Sequence, residues 1–106
     1  MTKEQLKELH DIADTLGYEE QSMQLIEEMA ELTQGINKYR RYDKGIKQYE
    51  NLVEEIADVE IMLEQIKHLL FVSDITLDFI INEKIERTKQ RLLQCGKNVE
   101  RCELND

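Results

Sequence analysis

Leu25-Ile26-Glu27-Glu28-Met29-Ala30-Glu31-Leu32 returns 27 residues later as Leu52-Val53-Glu54-Glu55-Ile56-Ala57-Asp58-Val59. Four of the eight positions are identical, and the other four keep their chemical character. Each copy reads as helix. With Glu28 placed at zero and about 100° per residue, Leu25, Met29, Leu32 and Ile36 fall within about 40–100°. With Glu55 at zero, Leu52, Ile56, Val59 and Leu63 occupy the same arc. Glu28 with Glu31, and Glu55 with Asp58, therefore flank an apolar stripe in the same way. Packing the two stripes together sets both acid pairs at the edge of one helix–helix seam, and antiparallel packing can bring them face to face. Residues three apart on a helix lie only about 5–6 Å apart at Cβ.

Outward from this repeat, the chain reads as helix throughout. Thr2 with Gln5 forms a capping-box pattern ahead of Leu6, Leu9, Ile12, Ala13 and Leu16, and Gly17 should end that first helix. A second helix runs from about Glu19 to Tyr39, a loop covers Arg40 to Gly45, and a third helix runs from about Ile46 to Phe71. Ser73 or Asp74 caps a fourth, which carries Leu77, Ile81, Ile85, Thr88 and Leu92 and stops near Gly96. Proline is absent and glycine occurs four times, so the turn residues of a β-protein are missing. The expected fold is all-α: an antiparallel bundle of about four helices in one domain spanning 1–106, with a flexible tail from about residue 96. Ile26, Val53, Ile61, Met62, Leu69, Phe79 and Ile80 fall outside the main stripes. A homodimer or larger assembly that completes the core would cover them.

The formal charge is −9. Such an acidic surface opposes non-specific binding to nucleic acid or to an anionic membrane. No stretch reaches the ~18–20 apolar residues of a membrane span. Met1-Thr2-Lys3-Glu4 begins a polar helix rather than a signal peptide. Cys95 and Cys102 are spaced unlike zinc ligands and read as reduced thiols of a cytoplasmic protein.

Glu-Glu pairs on helices ordinarily mark a solvated face. Two such elements in matched phase beside apolar stripes have no solvation reason to be there. Carboxylates brought together at partial burial must protonate or bind cations. Glu28, Glu31, Glu55 and Asp58 are hard oxygen ligands suited to Mg²⁺, Mn²⁺ or Ca²⁺. His10 and His68 stand apart from these acids and read as ordinary polar residues, which argues against zinc or a di-iron bundle.

The motif Glu27-Glu28-Met29-Ala30-Glu31, then 23 intervening residues, then Glu55-Ile56-Ala57-Asp58, followed by Asn82-Glu83-Lys84-Ile85-Glu86-Arg87, resembles that of the MazG-like all-α nucleoside triphosphate pyrophosphohydrolases. The resemblance implies Mg²⁺-dependent hydrolysis of a (deoxy)nucleoside triphosphate to monophosphate and pyrophosphate, with Mn²⁺ as a substitute. It assigns metal binding to Glu28, Glu31, Glu55 and Asp58, with Glu27 as an auxiliary acid. Glu27 or Glu54 is the candidate for positioning the attacking water. Asn82, Lys84 and Arg87 are the candidate substrate contacts, with Arg91 continuing their stripe. Arg40, Arg41, Lys44 and Lys47 form a second basic group. Tyr39, Tyr42, Phe71 and Phe79 are the aromatic candidates for a base pocket, with Phe71 and Phe79 more simply read as core. The competing readings are a non-catalytic acidic helical interaction module and a degenerate relative that binds nucleotide without hydrolysing it.

Overall fold

The computed structural model describes residues 1–42 and 45–96. Among them the regular structure is entirely α-helical: α1 Lys3–Arg41, α2 Ile46–Leu69 and α3 Asp74–Cys95. The tail expected to be flexible lies almost wholly outside the described residues. The capping signals act as read. The Thr2 hydroxyl accepts from the Gln5 backbone N–H at 3.0 Å, and the Gln5 side chain accepts from the Thr2 N–H at 2.8 Å. Ser73, rather than Asp74, caps α3 by accepting from the Thr76 N–H at 3.1 Å.

The number of helices differs from the expected four, because α1 is outlined straight through Gly17. That glycine is nonetheless not helical, at φ 87° and ψ 168°. This is backbone space that side chains with a Cβ avoid. The partners on either side of it give the direction of the chain. His10 meets Glu64 and Asp14 meets His68, both pairs 54 residues apart, so the segment before Gly17 runs parallel to α2. After Gly17 the pairing reverses. Gln21 meets Gln65, Gly35 faces Leu52, and Tyr39 packs on Tyr49 with ring centres 6.2 Å apart. The segment after Gly17 is therefore antiparallel to α2, and α1 folds back on itself at the glycine.

Gln65 fastens this reversal. It is 2% exposed. Its Nε2 donates to the Leu9 carbonyl at 3.2 Å, and its Oε1 accepts from Gln21 Nε2 at 2.6 Å. Leu9 and Gln21 would be roughly 18 Å apart on a straight helix. One side-chain amide touches both, which only a folded-back α1 allows. Ala13 and Met62 are the buried apolar residues of this region. Burying an amide is tolerable here because both Gln65 groups are paired. Removing it would orphan the Gln21 amide at about 1–3 kcal/mol.

The described chain falls into two compact units, Met1–Phe71 with α1 and α2, and a second from Val72 with α3. No residue of α3 is buried. Ile75, Phe79, Ile81 and Ile85 are exposed. Phe71 is also exposed, at a positive φ of 57°, so Phe71 and Phe79 are exposed residues rather than the core residues expected. Of the apolar residues outside the main stripes, Met62 is buried, while Ile26 and Val53 are exposed. Cys95 is disulfide-bonded, which overturns its reading as a reduced thiol. Cys102 lies outside the described residues. No helix among the described residues is long and apolar enough to cross a membrane.

Candidate metal centre

Both acid pairs sit where α1, past its reversal, runs antiparallel to α2. The apolar stripes set that seam, with Leu25 and Leu32 facing it half-buried from α1 and Leu52 and Val59 from α2. The (i, i+3) spacing then puts Glu28 and Glu31 at the seam edge from one side and Glu55 and Asp58 from the other. The structure brings the four together. One carboxylate oxygen from each lies within 4.8 Å of the others.

The electrostatics of this cluster are unresolved within the protein. Glu28 Oε1 accepts from Gln24 Nε2 at 2.8 Å. Glu28 Oε2 and Glu55 Oε2 are shielded from solvent and have no hydrogen-bond partner. Burial raises the Asp58 carboxyl above its usual range; the Glu28 charge and a hydrogen bond with Glu28 add to the rise. Two ionised carboxylates cannot donate to each other. The Glu28–Asp58 contact is therefore satisfied only by a shared proton or by a cation.

The donor set fits a hard divalent cation. Oxygens on opposite sides of Mg²⁺ at 2.0–2.1 Å are about 4.2 Å apart, and on opposite sides of Ca²⁺ about 4.6–5.2 Å apart. A 4.8 Å spread already spans the larger ion and needs a contraction of about half an ångström for the smaller. Nitrogen and sulfur ligands are not part of this group.

The other predicted residues are placed less uniformly. Glu54 lines a cleft of about 340 Å³ with two of the four acids: Glu31, Gln34, Gly35 and Lys38 come from α1, and Asn51, Glu54 and Glu55 from α2. Glu27 instead borders a separate depression with Glu19, Glu20, Met23 and Gln24. Asn82, Lys84 and Arg87 lie on α3, in the second unit, where Lys84 borders an open groove with Ile81, Ile85, Thr88 and Lys89. Arg40 and Arg41 occupy the last turn of α1, where cations offset the helix dipole. Lys47 opens α2, and Lys44 lies outside the described residues. Tyr39 is taken up by Tyr49.

His10 and His68 are apart from the four acids, but they form a structure of their own. Their rings stack with centres 4.1 Å apart and planes 6° from parallel. His10 Nε2 is 2.9 Å from Glu64, and His68 Nε2 is 2.9 Å from Asp14. Carboxylates only accept, so both Nε2 atoms carry a proton. Lys67 adds a cationic partner to Glu64 at 3.0 Å. Glu64 is held below the ordinary carboxyl range: burial pushes it upward, and the bonds from His10 and Lys67 outweigh that.

Reading the sequence for acids alone missed Gln24, Gln34, Lys38 and Asn51. All four sit three, four or seven residues from a cluster acid, so helical spacing carries them to the same face. No protein family, curated protein or solved structure matches this chain in comparison with known proteins.

Proposed function

We propose that this protein is a divalent-cation-dependent nucleoside triphosphate pyrophosphohydrolase of the MazG-like kind, with Glu28, Glu31, Glu55 and Asp58 holding Mg²⁺ or Mn²⁺. One observation carries the reading. Two solvent-shielded carboxylate oxygens without partners belong to a four-acid group that holds no counter-charge of its own. Helix surfaces tolerate acids that face water; shielded and unpaired acids call for a proton or a cation, and four in one group favour the cation.

A bound divalent cation would supply charge neutralisation for phosphate oxygens and activation of a water molecule. The chain's residues do the rest. Gln24 holds Glu28 in place by its hydrogen bond. Glu54, which shares the cleft with Glu31 and Glu55, is better placed than Glu27 to accept a proton from the attacking water. Water cleaves the anhydride between the α and β phosphates and yields monophosphate and pyrophosphate. Asn82, Lys84 and Arg87 are proposed as contacts to the phosphates on the strength of their motif. A homodimer or homotetramer belongs to the same reading, and the exposed Ile75, Phe79, Ile81 and Ile85 of α3 support it. A cytoplasmic setting follows from the substrate and draws nothing from the cysteines.

The test is a turnover panel over the common NTPs and dNTPs, with and without Mg²⁺, that separates pyrophosphate from orthophosphate. Pyrophosphate release that needs Mg²⁺ and is lost in Glu28→Ala and Asp58→Ala supports the assignment. Release that persists in both variants rejects it. The second reading, a non-catalytic interaction module, draws on the same exposed apolar residues of α3 and expects no turnover with any nucleotide.

A further inference from the structure

Glu31, Gly35 and Lys38 follow one another at steps of four and three residues, a line along one face of α1. The line advances about 10 Å over its seven residues. It begins at an acid of the proposed metal centre and ends at a lysine, and both residues line the same cleft. Gly35, in the middle, contributes no side chain to fill it. Gln34 and Asn51 line the cleft from α1 and α2 and bring amide donors and acceptors.

Lys38 is the one cation among the described residues of this cleft, against Glu31, Glu54 and Glu55. Its ammonium makes no ion pair with any of them. Acids cooperating to hold a cation have no use for a lysine nearby, since its charge opposes metal binding. An anion that arrives with the cation does have a use for it. A triphosphate carries more negative charge than one divalent ion offsets, and the surplus lies away from the oxygens that meet the metal.

We propose that Lys38 anchors the polyphosphate of a cation-bound nucleotide at the far end of this cleft, with Gln34 and Asn51 hydrogen-bonding its oxygens. The inference rests on the pyrophosphohydrolase reading. It assigns Lys38 as a substrate-binding residue that the motif does not contain, in the same unit as the acids.

The experiment uses a nucleoside triphosphate whose α–β bridging oxygen is replaced by an imido group, so that binding is read without turnover. Wild type, Lys38→Met and Lys38→Arg are titrated by calorimetry, first with Mg²⁺ alone and then with the analogue at saturating Mg²⁺. A charge-assisted contact predicts about ten-fold weaker analogue binding in Lys38→Met, largely restored in Lys38→Arg. Mg²⁺ affinity should stay the same or tighten slightly in Lys38→Met, and circular dichroism should show equal helicity in all three. Analogue binding in Lys38→Met at the wild-type affinity overturns the anchor and leaves the parent reading standing. So does a loss of analogue affinity matched by an equal loss for Mg²⁺ alone. A wild type that binds neither Mg²⁺ nor the analogue overturns both.

Discussion

Two groups of acids bridge α1 and α2, and they are built on opposite terms. Near the reversal, Glu64 and Asp14 each meet a histidine, and Glu64 also meets Lys67. Further along, Glu28, Glu31, Glu55 and Asp58 meet mainly one another. Burial pushes a carboxyl upward in both places. At Glu64 the basic partners win and the group is held low; at Asp58 a neighbouring acid adds to the rise. A set of acids that already has donors from its neighbours acts as a clasp. A set that is not balanced is stable only with a proton or a cation from outside. That difference is why the second set is the one proposed to take a ligand.

The contrast should be widest in turnover. Glu28→Ala or Asp58→Ala is expected to cut pyrophosphate release by about a hundred-fold or more, as loss of a metal ligand exceeds loss of its supporting contacts. Glu64→Gln is expected to leave release near wild type. Equal losses at both places would erase the distinction.

Stability should show the reverse order. Glu64→Gln strips His10 and Lys67 of a shared carboxylate and should cost about 1–3 kcal/mol in denaturant unfolding. Asp58→Asn, measured without metal, should be neutral or stabilising, since it removes one member of a repelling set. The pH dependence has matching signs. The Glu64 contribution is present above its ordinary carboxyl value of 4.5 and is lost as pH falls through its lowered folded value. The Asp58 contribution is present below its ordinary value of 3.8 and is lost as pH rises through its raised folded value. The advantage of metal-free Asp58→Asn over wild type should therefore shrink on acidification, whereas the deficit of Glu64→Gln should shrink only at the acid end of its own window.

The smallest effect concerns the glycine beside the cleft. A Cβ on Gly35 would meet Glu55 Cγ and Leu52 Cδ1 at 3.5 Å, ordinary contact. Gly35→Ala should raise stability by about 0.5–1 kcal/mol, because the helix there is regular and glycine weakens it. A clear loss of stability would mean that the two helices approach more closely at the cleft than they do here.

Much of this was legible in the residues. The matched phase of the two acid elements gave the antiparallel seam and its four carboxylates, because helical periodicity alone decides which side chains share an edge. The cap residues Thr2 and Ser73 marked helix starts by local hydrogen bonding. Gly17 marked a break, and the short connection after it implied antiparallel neighbours; what nothing local revealed is the fastening, in which Gln65 reaches both Leu9 and Gln21 from another helix. The histidines gave no sign of stacking, since their partners lie 54 residues away in sequence. Phe71 and Phe79 read as core because apolar residues usually are, but both are exposed. The helix that carries Asn82, Lys84 and Arg87 belongs to a separate unit, which no spacing rule could indicate.

The most direct measurement is the melting temperature of wild type and Glu55→Ala over a Mg²⁺ titration into the millimolar range. Wild type should be stabilised as the titration proceeds, by about 2.7 kcal/mol at a hundred times the dissociation constant, with no increment in Glu55→Ala. Equal increments in the two proteins, or none in wild type, would show that the four acids hold no cation.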